Sequence, residues 1–159
     1  MSKFSDIPKF TSPSNYVVNI SWISLEFHLN SYFTREFSLQ LNPDFQRGHV
    51  WTEQQQISYV EFILRGGITG QDLYFNHPQW MRSFEGDFVL VDGLQRLTAA
   101  RKFMSSDLET RFGKYSDFTD KLSYSVGFRF HIHNLPTKAD VLKWYLELKQ
   151  YGSVPHSGF

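Results

Sequence analysis

Phe88-Val89-Leu90-Val91-Asp92-Gly93-Leu94-Gln95-Arg96-Leu97-Thr98 passes from a continuous apolar run, through an Asp-Gly turn, into a helical repeat that continues at Ala100, Arg101 and Met104. The apolar run reads as a strand covered on both faces, and the spacing after Leu94 as a helix. A buried strand that turns directly into a helix sends free backbone N–H groups and the positive end of the helix dipole outward, a place that suits an anion. Arg96, in the first turn, adds a planar donor fork that matches two phosphate oxygens. A purely structural alternative is a capping box, with Asp92 as N-cap and Gln95 reaching back. It accounts for Asp92 and Gln95 and leaves Arg96 unexplained.

Towards the N-terminus, Phe37-Ser38-Leu39-Gln40-Leu41 alternates as a half-buried strand does, and Asn42-Pro43-Asp44 closes it. It delivers Pro43-Asp44-Phe45-Gln46-Arg47-Gly48-His49-Val50-Trp51 onto a loop that carries an amide, a guanidinium, an imidazole and an indole. Arg47 is suited to a second phosphate, while Trp51 either stacks a base or plugs the core. Thr52 with Gln55 is a capping box, and Ile57, Val60 and Leu64 continue a helical face until Gly66-Gly67. An earlier helix begins at Ser21 with Trp22, Leu25, Leu29 and Tyr32/Phe33 on one face, and residues 1–15 read as an arm. Asp72-Leu73-Tyr74-Phe75 reads as a short strand.

Towards the C-terminus, Ser125 to His133 alternates, with Val126, Phe128, Phe130 and Ile132 on one face and Arg129, His131 and His133 on the other. The two histidines lack a third metal ligand at suitable spacing and read as surface or groove residues. Thr137 to Lys149 forms a last helix, with Val141, Trp144, Tyr145 and Leu148 as its apolar face. Beyond it, Lys149 and His156 either close over a ligand or belong to a tail. Strands and helices interleave without regular crossover spacing, so the expected class is α+β: a small mixed or antiparallel sheet with packed helices, in a single domain over residues 16–159.

At 159 residues the chain can bury a core without staples, and 16 basic against 16 acidic residues give no global field for non-specific DNA binding. The lack of cysteine excludes thiol chemistry and thiolate zinc sites. Without a secretion signal or a long apolar run, the expected location is cytoplasmic, with no membrane partner. Neither a Walker A pattern nor GxGxxG, HExxH or GxSxG occurs, so a phosphate site here is of another kind.

Together, Gln46-Arg47-Gly48-His49-Val50-Trp51 and Asp92-Gly93-Leu94-Gln95-Arg96-Leu97-Thr98 resemble the QR-x-x-VW and DGQQR-LT motifs of the N-terminal domain of GmrSD-type, modification-dependent restriction endonucleases. Leu94 stands where the family usually has Gln. Trp144 to Leu148, Gly152 and Pro155-His156 resemble its helix ending in an Asn-x-Gly-Gly-type loop, with Lys149 in place of Asn and Tyr151 in place of the first Gly. The resemblance implies a fold similar to ParB and sulfiredoxin proteins, in which a comparable turn binds nucleotide phosphates. Full-length members of that family usually carry a C-terminal HNH nuclease domain, whereas this sequence holds no H-N-H constellation, so the expectation here is a domain without one.

The expected ligand is accordingly a nucleoside triphosphate with Mg²⁺. Gly93, Leu94, Arg96, Thr98, Arg47, Trp51, Lys149 and His156 would bind it, Gln46 or Gln95 would orient a water for slow hydrolysis, and Asp92 would cap the helix or help place the metal. An alternative is a non-enzymatic regulator or inhibitor that binds DNA or a protein of a restriction or phage-defence system. A homodimer also falls within the expectation. A minimal nuclease is the weaker reading, since no metal-ligand cluster supports it.

Overall fold

The computed structural model describes residues 2–8, 16–32, 39–41 and 50–152, with 151 and 152 described by backbone alone. Its regular elements are β1 (Tyr16–Ser21), α1 (Leu25–Tyr32), α2 (Glu53–Leu64), β2 (Asp72–Asn76), β3 (Val89–Asp92), α3 (Leu94–Met104), β4 (Gly127–His133) and α4 (Lys138–Glu147). The strands form one sheet in the order β1-β4-β2-β3. β4 runs antiparallel to β1 and parallel to β2, and β3 returns antiparallel beside β2. The class is α+β with a mixed sheet, as expected.

Alternation along the strands decides what each face buries. Phe128, Phe130 and Ile132 of β4 join Leu73, Phe75 and Leu90 in the main core, where Leu25 and Leu29 of α1, Tyr59, Val60 and Ile63 of α2, and Leu97 and Phe103 of α3 meet them. Burying a side chain of this size contributes about 1.5–3 kcal/mol. On the opposite face, Val89 and Val91 pack with Leu135 and with Val141, Trp144 and Tyr145 of α4. The apolar run of β3 is therefore continuous because both of its faces are covered.

Local chemistry sets the boundaries. The capping box at the start of α2 forms as read, with Thr52 Oγ1 accepting the Gln55 N–H and Gln55 Oε1 accepting the Thr52 N–H. α2 ends before Gly66, whose φ of +90° favours a residue without Cβ. Thr137 caps α4 by accepting the Asp140 N–H. The buried Asn76 both donates to and accepts from the backbone of Leu135, which fixes the β4–α4 connection against the end of β2.

Two elements differ from the sequence reading. β1 precedes the helix that begins near Ser21 and was not expected, because as an edge strand it buries Ile20 while Tyr16, Val17 and Asn19 stay exposed, leaving no clean alternation. Of the strand read over 37–41, residues 37 and 38 lie outside the described residues, and Gln40 makes an isolated parallel bridge to Val89. It donates to Phe88 O at 2.8 Å and accepts from the Leu90 N–H at 2.9 Å.

Candidate functional site at the β3–α3 turn

The strand-to-helix junction is built around Gly93. Its φ of +116° lies in the left-handed region, and a Cβ here would stand 2.3 Å from Leu73 Cδ2 and 3.5 Å from Leu73 Cα. The turn therefore needs glycine twice over, for its backbone conformation and for its close approach to β2. Gly93 itself is the N-cap of α3, without a side-chain cap, and its carbonyl takes the first helical hydrogen bond, from the Leu97 N–H. The amides of Leu94, Gln95 and Arg96 are left at the dipole's positive end with no acceptor among the described residues.

The capping-box alternative is thus corrected. Asp92 does not cap α3, and Gln95 does not reach back to it. Gln95 Oε1 instead accepts the Trp51 backbone N–H at 2.9 Å, so the two sequence motifs are joined directly. The Trp51 ring lies half-buried against the core, 5.4 Å from the Tyr59 ring, which favours its packing role over an open base platform.

Arg96 is mostly buried, and its Nη2 donates to the Asp72 carbonyl at 2.9 Å and lies 3.7 Å from Asp92 Oδ2. It braces the end of β3 against the start of β2, an office the capping argument could not supply. Two buried atoms here have no hydrogen-bond partner among the described residues, Asp92 Oδ2 and Arg96 Nε. Such groups are costly unless something satisfies them.

Beside this turn lies a second polar group that the sequence reading set aside. The parallel register places Asp72 next to Arg129 and Tyr74 next to His131, and the antiparallel register places Tyr74 opposite Asp92. His131 Nε2 lies 2.7 Å from Asp72 Oδ1, and Arg129 Nη1 lies 3.4 Å from the same oxygen. The Tyr74 and His131 rings stack at 4.8 Å with an 18° tilt. Burial, and then the Asp72 and Asp92 carboxylates, hold the Tyr74 hydroxyl above the usual phenol range. The alternation at 129–133 was the available signal, but which strand would lie beside it was not legible.

The remaining expected residues separate. Leu94 is half-buried against the main core, so its backbone N–H is the group that it offers at the turn. Thr98 lines a shallow hollow with Glu26, Arg101 and Lys102. Lys149 is exposed, with its ammonium 5.4 Å from the Tyr145 ring centroid. Gln46, Arg47 and His156 lie outside the described residues. The described residues contain no group of three His, Asp or Glu side chains placed to hold a metal, and no helix long and apolar enough to cross a membrane.

Residues 29–150 match the family described as the GmrSD restriction endonuclease, N-terminal domain. A short stretch is also 55% identical over 31 residues to an asparagine–tRNA ligase of Koribacter versatilis (strain Ellin345). That match covers 20% of this chain and 7% of the ligase. The family match spans most of the chain, so the chain belongs to the GmrSD N-terminal domain family and is a domain of restriction-system type.

Proposed function

From this membership we propose that the domain binds a nucleoside triphosphate at the Asp92–Arg96 turn and hydrolyses it slowly. The observation that carries the reading is the start of α3, where a glycine cap leaves the first-turn amides without an acceptor among the described residues, beside Asp92 Oδ2 and Arg96 Nε, which make no hydrogen bond among them. Phosphate oxygens are acceptors for the amides and for the guanidinium, and they bring the negative charge that the helix dipole favours. Arg47 supplies a further positive charge in this reading.

The residues at the turn also suit Mg²⁺. That ion is usually held by one or two carboxylates together with substrate phosphates and waters, and Asp92 offers a carboxylate oxygen that accepts no hydrogen bond among the described residues, 3.7 Å from Arg96. With its capping role removed, Asp92 is the residue that would hold the metal, whose chemistry is to neutralise phosphate charge. Gln95 has its Oε1 committed to Trp51, so it orients a water through its Nε2 hydrogens, alongside Gln46.

The test is thermal stability with ATP, GTP, CTP and UTP, each with Mg²⁺. A ligand at about 100 times its Kd adds roughly 2.7 kcal/mol. The reading expects a shift with at least one nucleotide, lost in Arg96→Ala. No shift with any of the four, in a wild-type protein that melts cooperatively, overturns it.

The restriction-system family supports a second reading, in which DNA or a defence-system protein is the partner. Electrophoretic retardation of plain and base-modified DNA across a salt series tests it, since phosphate contacts weaken as salt rises.

A further inference from the structure

Asp72 connects the phosphate-facing turn to a histidine that has no part in the reading above. Its main-chain carbonyl accepts from Arg96 Nη2, and its carboxylate lies 2.7 Å from His131 Nε2. A carboxylate at that distance accepts from Nε2–H, so that in the neutral ring the lone pair lies on Nδ1. The imidazole plane is fixed as well, because the ring stacks on Tyr74, whose backbone lies opposite Asp92. His131 remains partly open to solvent, with 20% of its side chain exposed.

The proposed water-orienting residues, Gln46 and Gln95, carry carboxamides, which position a water but cannot take its proton. Asp92 faces Arg96, and Asp72 is occupied by His131 and Arg129. A histidine held by a carboxylate next to a substrate site is the arrangement from which general bases are made. The charged and titratable groups facing His131 are Asp72 and Tyr74 on β2 and Arg129 and His133 on its own strand.

We infer that His131, oriented by Asp72, is the general base of this site, a deepening that rests on nucleotide binding at the Asp92–Arg96 turn. The water oxygen attacks the terminal phosphorus while its proton passes to His131 Nδ1. The bond from that phosphorus to the bridging oxygen breaks, and the nucleoside diphosphate departs with the electron pair. Inorganic phosphate forms, and His131 then releases its proton to solvent.

The experiment measures phosphate release from ATP, GTP, CTP and UTP with Mg²⁺ across a pH series, alongside the nucleotide-dependent thermal shift. His131→Gln is expected to keep the thermal shift, to lose about 100-fold in phosphate release, and to lose the acid-side fall of the wild-type profile. Asp72→Asn, which leaves His131 in place, covers the case in which His131→Gln does not fold, and is expected to lower phosphate release with binding kept. Either variant releasing phosphate at the wild-type rate, with an unchanged pH profile, overturns the inference. So does a wild-type protein that binds nucleotide and never hydrolyses it, although nucleotide binding then stands. A wild-type protein with no nucleotide-dependent shift overturns both.

Discussion

Trp51 donates its backbone N–H to Gln95 Oε1 at 2.9 Å across 44 positions of sequence. One side-chain amide in the first turn of α3 therefore holds the residue just before the capping box of α2, and the two helices pack on each other in the main core. The contact gives Gln95 a structural duty that is independent of any ligand.

Gln95→Leu takes that acceptor away from the part-buried Trp51 N–H. We expect a loss of about 1–3 kcal/mol from the urea midpoint. Gln54→Ala, at an exposed position of α2, serves as control and is expected to stay within about 0.5 kcal/mol. Equal effects at the two positions would refute the assignment.

Gly93→Ala combines a left-handed φ with a Cβ placed 2.3 Å from Leu73 Cδ2. Strain and overpacking together predict a loss of about 3 kcal/mol or more. Gly66→Ala carries a similar φ into open space and should lose only about 1 kcal/mol. The difference between the two melting curves isolates the close approach from the backbone term.

Arg96→Ala strands the Asp92 carboxylate and frees the Asp72 carbonyl, so a loss of about 2–4 kcal/mol is expected. Adding Asp92→Ala removes the stranded charge. The double variant should then be more stable than the sum of the single losses predicts, by about 1–3 kcal/mol in a double-mutant cycle. Simple additivity would show that the pair is not coupled.

His133 is buried against Trp144, with ring centroids 4.2 Å apart and no hydrogen-bond partner for Nδ1 among the described residues. Burial, and then the nearby His131, lower its pKa to about 4. The unfolded chain therefore takes up this proton first as pH falls. The resulting penalty is absent above the ordinary value of 6.5, grows between there and about 4, and is level below, with a total on the order of 3 kcal/mol. His133→Phe should flatten the dependence of stability on pH in this window; an unchanged slope would refute the burial argument.

Wherever a residue's neighbours lie close in sequence or follow a strict period, the sequence was readable. Thr52 and Gln55 form the box that their spacing predicts, and Phe128, Phe130 and Ile132 turn to the core as alternation requires. The same spacing failed at Asp92 and Gln95, because Gly93 must approach Leu73 and the Trp51 N–H competes for the Gln95 carbonyl. Both competitors are distant in sequence. His131 was set aside for a related reason: its partner Asp72 is 59 positions away and meets it only through the parallel pairing of β2 with β4. β1 was missed because an edge strand with one buried side chain offers no period to read.

The chain on both sides of the Gln46-Arg47 motif is fastened to the same strand-helix unit, at Gln40 by the β3 backbone and at Trp51 by Gln95. Neither tether can open without loosening its hold on that unit, so the Trp51 contact and the start of α3 should share one local opening equilibrium. In native-state hydrogen exchange the Trp51 and Leu97 amides would then exchange with a common protection free energy, and a change that loosens the Trp51 tether would be felt at the start of α3.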